Sequence, residues 1–416
     1  MNADFSYNHL HYYLRLLVAH AKHPVRLFLI FYRIDHYLYK CFACHFKLKR
    51  YSENQFTLKS NQMSRKIFSA CLALCTSVIA YAQDSSKPSG PTITGSVDAY
   101  YRYNFSNPTP VPGSVITNVN NFTSFSNSHK SYELGMASIK ADHSFGKASA
   151  TIDLGFGKRA EEFAYGDLSN STLFAIKQAY VSYAVSDKLK LTMGKWATHI
   201  GYELVDAYLN RNYSMSYMFS YGPFAHTGLK ADISLGGKSS LMVGVANPTD
   251  IVSTTTSRKF GIAQFATASS NSKFKAYLNY QGSYGGSFNL TQFDLVLTQA
   301  VTDKFSLGYN GTVQSVKPDG DSGESWWGSA LYVNVDPTST FGITLRGEYF
   351  DNKKAIVLAP PTGIFALTLS PNIKLGNLSI IPELRIESAK EAIYAKSKGG
   401  TSKNTSSAIL AAVYHF

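Results

Sequence analysis

The sequence predicts an all-β chain, a transmembrane antiparallel up-and-down β-barrel of about 16 strands, within a range of about 14 to 18. Three observations predict it. Beyond Pro91, apolar residues recur at period 2 rather than 3.6. The segments that carry this period run about 9 to 13 residues, the length a tilted strand needs to cross a bilayer. Their connections alternate between tight turns and long loops, the meander of a barrel with periplasmic turns and extracellular loops.

The first segment sets Ile93, Val97, Ala99, Tyr101, Tyr103 and Phe105 on one face, and Thr94, Ser96, Asp98, Arg102 and Asn104 on the other. The alternation returns at Ala148 to Phe156, at Phe341 to Tyr349 and at Leu378 to Glu387. Candidate strands begin near residues 92, 131, 147, 173, 189, 226, 239, 259, 273, 289, 304, 326, 340, 363, 378 and 405. Short links fall around Gly146, 186–188, 236–239, 269–272, 300–303, 336–339 and 376–377. Long ones cover 106–130, 159–172, 197–225, 247–258, 282–288, 316–325, 351–362 and 389–404. A sandwich would not sort its loops in this way. An even strand number brings the last strand beside the first and leaves no open edge.

The last segment puts Ala408, Leu410, Ala412, Tyr414 and Phe416 on one face. A terminal aromatic on an alternating strand is the tail that barrel-assembly machinery reads, so Phe416 is expected to contact it. Tyr101, Tyr103, Trp196, Trp326, Trp327, Tyr349 and Tyr414 suit the aromatic girdles of a barrel facing outer-membrane lipid.

Charge divides the chain in two. Its formal net charge is +13, yet residues 1–83 hold 11 Lys and Arg against 3 Asp and Glu, together with all four cysteines. The remainder is nearly balanced, which excludes the concentrated basic stripe of a nucleic-acid-binding protein. From Met63, Arg65 and Lys66 precede an apolar run from Ile67 to Ala80, and Ala80-Tyr81-Ala82 follows as a cleavage pattern. Residues 63–82 therefore read as a secretory signal peptide, 1–62 as an upstream extension from a start assigned too early, 83–91 as a polar linker and 92–416 as the barrel. Cys41-Phe42-Ala43-Cys44-His45 has the form of a haem-attachment string, but it lies upstream of the export signal and reads as chance. No cofactor or metal is expected.

About sixteen strands enclose a lumen wide enough for water. The longest connection, Ala197 to Ala225, is long enough to reach across it. It carries Tyr202, Glu203, Asp206, Tyr208 and Arg211, with Ile200, Leu204, Ala207 and Tyr208 at helical spacing. Opposed charges and aromatics on an inward-folded loop are the makings of a pore constriction.

Met193-Gly194-Lys195-Trp196, Gly201-Tyr202-Glu203, Asn212-Tyr213-Ser214-Met215-Ser216-Tyr217, Gly222-Pro223 and His226-Thr227-Gly228 together resemble the central signature of the OmpL-like β-barrel porins of Gram-negative bacteria. The resemblance runs from about Ile93 to Phe416 and implies an outer-membrane pore. Family members often carry Arg between the two serines, where this chain has Met215.

Residues expected to face the lumen are Arg102, Lys190, Lys230, Arg346 and Arg385 against Asp98, Asp153, Asp232, Glu348, Glu383 and Glu387. Neither sign dominates, which predicts passive diffusion of small hydrophilic solutes or ions with weak ion preference. No G-x-S-x-G elbow or H-E-x-x-H helix is present, so no catalytic residue is expected. A non-conducting surface barrel, an adhesin or structural protein, is the alternative. Lipid-facing positions do not disclose a subunit interface, and a homo-oligomer is one outcome.

Overall fold

The computed structural model describes residues 90–109, 119–166, 172–284, 288–318, 322–354, 357 and 360–416. The expected signal peptide and the segment upstream of it lie outside the described residues. Sixteen antiparallel strands close into one barrel. They are β1 (Thr92–Asn104), β2 (Ser131–Phe145), β3 (Ala148–Phe156), β4 (Ile176–Ser186), β5 (Leu189–Ala197), β6 (Ala225–Gly236), β7 (Ser239–Ala246) and β8 (Phe260–Ala268). The second half comprises β9 (Phe274–Ser283), β10 (Phe288–Ala300), β11 (Phe305–Pro318), β12 (Glu324–Val335), β13 (Phe341–Asp351), β14 (Gly363–Leu375), β15 (Leu378–Ala389) and β16 (Asn404–His415). Each strand pairs with its sequence neighbours, and β16 returns to β1.

Period 2 decides the faces. On β1, Ile93 and Val97 are exposed on the outer wall, while Ser96, Asp98, Arg102 and Asn104 are buried inside. On β16 the outward set is Leu410 and Tyr414, and the inward set, Ile409, Ala411 and Val413, is apolar as well. An apolar inward face needs something other than water against it. Tyr100, Ala207, Tyr213 and Ile381 supply it, forming one cluster with those three residues.

The girdle expectation needs a correction for two residues. Trp196 and Trp326 are buried within the barrel, whereas Trp327 is 44 % exposed outside. Adjacent residues of a strand face opposite ways, so only one of Trp326 and Trp327 can meet lipid. Trp326 donates its indole N–H to Gln314 Oε1 at 3.1 Å.

The closing seam pairs Ser96–Asn104 with Ser407–His415, and the last residue extends it. Gly95 and Phe416 exchange backbone hydrogen bonds of 3.0 and 2.9 Å. The Phe416 ring lies over Gly95, where a Cβ would stand 2.6 Å from ring carbon Cζ and 2.7 Å from the Ser138 carbonyl. Only glycine leaves that space. Gly95→Leu is expected to displace the Phe416 ring and loosen the β1–β16 seam by about 1–3 kcal/mol, read as a lower temperature of heat-modifiable migration on denaturing gels. An unchanged temperature would show that the ring does not depend on Gly95.

Candidate pore-lining site

The connection from β5 to β6, residues 198–224, leaves the outer end of one strand and returns to the outer end of the next. Between these ends it runs the height of the wall. Gly201 N–H donates to Asp294 Oδ1 of β10 at 3.0 Å, and Tyr202 N–H to Asn310 Oδ1 of β11 at 3.3 Å. The Tyr202 ring stacks on Tyr332 of β12 with centroids 4.1 Å apart. Asp206 accepts from Lys177 of β4 at 2.6 Å, and Tyr208 stacks on His415 at the last residue of β16. Arg211 makes a two-pronged contact with Asp336, at 2.9 and 2.8 Å, in the periplasmic turn after β12. The chain then climbs back past Ser370, Asp98 and Glu383 to the outer loop that holds Asp250.

This segment has little secondary structure of its own. The helical spacing of Ile200, Leu204, Ala207 and Tyr208 predicts a helix that does not form there; only a single 3₁₀ turn, Ala207–Leu209, appears. Gly201 at φ +97° turns the chain out of any helix before it starts. The other helices near the lumen are α1 (Lys158–Phe163) and α2 (Tyr217–Tyr221). Ser216 caps α2, its Oγ accepting from Phe219 N–H.

A buried irregular backbone needs partners for its own polar groups. The wall supplies them by charge. Glu383 accepts from the N–H groups of Tyr213 and Ser214 at 2.8 and 3.2 Å. Glu348 accepts from Tyr217 N–H at 2.8 Å, and Glu203, within the segment, from Ser216 N–H at 2.7 Å. Carbonyls are met by guanidinium groups. Arg346 donates to Ser214 O and Met215 O, Arg385 to Met215 O, and Arg159 of α1 to Val205 O and Tyr213 O. Arg102 holds the first outer loop in the same manner, donating to Val119 O, Asn120 O and Ser128 O at 2.8–3.0 Å.

These charges also bind one another. Glu203 meets Arg346 at 2.5 Å, Arg346 meets Glu348 at 3.5 Å, and Arg385 meets both Glu348 and Glu387 at 3.0 Å. The sequence explains the ladder. Arg346 and Glu348 lie two residues apart on β13, as do Arg385 and Glu387 on β15, so both pairs point inward. Between them β14 offers only Thr368 and Ala366 in register, small enough for the pairs to meet across it.

The residues expected in the constriction, Tyr202, Glu203, Asp206, Tyr208 and Arg211, are each held against the wall, and Tyr202 and Glu203 share Tyr332 of β12, which stacks on the first and donates its hydroxyl to the second at 3.2 Å. Among the expected lumen charges, Asp98 accepts from Tyr213 Oη, Asp153 lies 3.1 Å from Lys177, and Lys190 and Lys230 stand 3.8 and 3.6 Å from Asp232. Met215 buries its side chain in a cluster with Phe125, Phe163, Val205, Phe219 and Phe224. Sequence reasoning missed Lys177, Asp294, Asp336 and Arg159. Asp294 had a signal, since Gln292 and Asp294 alternate with Phe293 and Leu295. Lys177 had none, because it sits beside a register shift in the β3–β4 pairing that period 2 does not reveal.

Among the described residues, cavities remain on two sides of the segment. One, of about 230 Å³, is lined by Tyr202, Lys273, Lys275, Gln299, Ser306 and Asn334 among others. The other, of about 90 Å³, is lined by Lys140, Asp153, Lys177, Gln178, Asp206 and Tyr208 among others. The outer half is filled instead by apolar side chains, with Tyr217 and Met218 packed on Trp326, Ala330, Tyr332, Phe350 and Ile364.

A closed sixteen-strand barrel with an apolar outer wall and a polar, charged inner one is the architecture of the outer-membrane porins. The chain belongs to the family described as "Putative beta-barrel porin-2, OmpL-like", whose model matches residues 90–416. Solved structures agree in fold. The outer membrane channel DcaP of Acinetobacter baumannii is similar with a TM-score of 0.52 at 10 % identity, over 80 % of this chain and 99 % of that one. An anion-selective porin from Comamonas acidovorans gives 0.52 at 11 %, over 79 % and 100 %. OmpT of Vibrio cholerae gives 0.51 at 8 %, over 81 % and 100 %. Comparison with curated protein sequences gave no match. Family and fold support an outer-membrane protein of porin type.

Two predictions follow from the wall contacts. Arg346→Met leaves Glu203 and Glu348 buried beside one cation fewer, and is expected to cost about 3–5 kcal/mol; a denaturant-unfolding midpoint equal to that of the native protein would refute this. The second concerns Asp250, which accepts from Phe224 N–H and Ala225 N–H at 2.7 Å each and from Tyr165 Oη at 3.0 Å. Burial pushes its carboxyl up to about 6 despite those donors. The folded protein holds this proton more tightly than the unfolded chain, where the carboxyl titrates near 3.8. Its favourable contribution is therefore complete below 3.8 and lost as pH rises through about 6. Thermal unfolding in detergent should gain a component of stability from pH 7 to pH 5 that Asp250→Asn removes.

Proposed function

We propose that this protein is a porin that passes small hydrophilic solutes or ions by passive diffusion, with residues 197–225 narrowing the pathway. The observation that carries this reading is the course of that segment, which stands in the lumen from the outer rim to the periplasmic turn at Asp336 and leaves polar cavities on two sides. The cavity charges are mixed, with Lys140 and Lys177 beside Asp153 and Asp206, and this supports weak ion preference. The barrel-assembly machinery would engage Phe416, whose ring is exposed on the outer wall. A homo-oligomer fits the fold, since OmpT of Vibrio cholerae is described in a trimer form; the mass of the detergent-solubilised protein reads this directly.

One observation favours the second reading, a non-conducting surface barrel. The outer half of the lumen is packed with aromatic and aliphatic side chains. Planar-bilayer recording separates the two. Under the pore reading the native protein gives small discrete steps, and deletion of residues 200–222 enlarges them several-fold. Silence from both proteins would end it and leave the surface barrel.

A further inference from the structure

At the start of β9 the alternation reads Lys273, Phe274, Lys275. Phe274 is exposed on the outer wall, so both lysines point into the lumen, on the face that carries Asn279 and Gln281 further along. The ladder reaches Lys273, whose carbonyl accepts from Ala300 N–H at 2.8 Å. Residues two apart on a strand stand about 7 Å from each other, near enough for two lysine stems to bring their ammonium groups to one ligand. Both line the cavity of about 230 Å³, together with Tyr202, Thr298, Ser306 and Asn334. Gly308 makes room for one side of it. A Cβ there would stand 2.7 Å from a Tyr202 ring carbon, so glycine lets that ring lie against β11.

Among the described residues no carboxylate lines this cavity, and neither lysine has an ion pair. The acids around it are otherwise engaged. Asp294 accepts from Asn279, Asn310 and Gly201, and Asp336 is held by Arg211. The turns beneath, 236–239, 269–273 and 300–304, carry Lys238, Lys273 and Lys304 against one acid, Asp303. Lys238 donates to the hydroxyl of Ser272, which borders the cavity, and so sets a third ammonium at its rim. The second cavity differs. Its Lys177 lies 3.1 Å from Asp153 and 2.6 Å from Asp206, and its Lys140 lies 2.9 Å from Asp142. Of the two, only the larger cavity presents cations without a carboxylate, and that excess favours an anion.

We propose that this cavity binds the phosphate of a small phosphate monoester in the lumen. Lys273 and Lys275 hold the phosphate, with Lys238 at the entrance. Ser306 Oγ accepts from Asn334 at 3.3 Å, which leaves its own proton to donate to a phosphate oxygen. A phosphate monoester is nearly doubly charged at neutral pH and offers three acceptor oxygens. Two lysines match it because each is a compact point charge with rotatable donors, whereas a planar carboxylate is better met by the fork of an arginine. Arg211, the arginine that the segment brings to this end of the barrel, is already taken by Asp336. The inference deepens the pore reading by naming a solute class, and it rests on that reading for the solute's access.

The test titrates glucose 6-phosphate into the purified protein in detergent and reads binding by calorimetry. Glucose 6-phosphate is expected to bind about tenfold more tightly than glucose or than malonate, a dianion without phosphate. Inorganic phosphate should compete for the site. K273Q/K275Q, with its fold checked by heat-modifiable migration, should lose about tenfold in affinity. K147Q/K188Q removes two lysines from other turns at the same end of the barrel and should bind as the native protein does. Equal binding of glucose or malonate, no competition by inorganic phosphate, native-like binding by K273Q/K275Q, or an equal loss in K147Q/K188Q would each overturn the proposal. Binding is read without conduction. Tight binding by a barrel that is silent in bilayers would refute the pore and keep the site, whereas open steps without binding would refute the site and keep the pore.

Discussion

One constraint governs the interior of this barrel. A chain segment without sheet or long helix lies inside it, and each of its buried N–H and C=O groups must find a partner. Carboxylates of the wall take the amides, as Glu383 does for Tyr213 and Ser214, and guanidinium groups take the carbonyls, as Arg346 does for Ser214 and Met215. Arg102, Arg346, Glu348, Glu383 and Arg385 therefore face main chain rather than water.

The same constraint explains why both signs occur. A wall of one sign would satisfy only donors or only acceptors, whereas an irregular backbone presents both. It would also leave the charges uncompensated, and the alternating ladder from Glu203 to Glu387 avoids that. Ions buried this way add little net stability when paired and cost several kcal/mol when one partner is removed. Apolar contacts complete the assembly: Phe125, Phe163 and Phe224 come from three different loops into one cluster, so the outer connections hold each other as well as the wall.

Much of the fold was legible. Sixteen strand starts read from period 2 fall within a few residues of those observed, because lipid on one side and a polar interior on the other impose strict alternation. The segments at 131, 239 and 259 carry weak patterns yet form β2, β7 and β8. Where neighbours on one strand were both aromatic, as at Trp326 and Trp327, composition identified a girdle residue but not which of the two. The helix expected at Ile200 failed because spacing says nothing of the turn that Gly201 imposes, while the helix at Tyr217 was passed over although Ser216 was present to cap it.

By itself the sequence determined the barrel, a strand number of about 16, the sorting of its loops and the sharing of one strand face by Asp98 and Arg102, by Arg346 and Glu348, and by Glu383, Arg385 and Glu387, since all of these follow from local periodicity. Only the tertiary structure decided what those charges meet. Glu203 lies 143 residues from Arg346, and Tyr213 lies 170 from Glu383. Such pairings depend on the path of a loop through the lumen, and closure of the barrel, not any local pattern, brings the loop and the wall together.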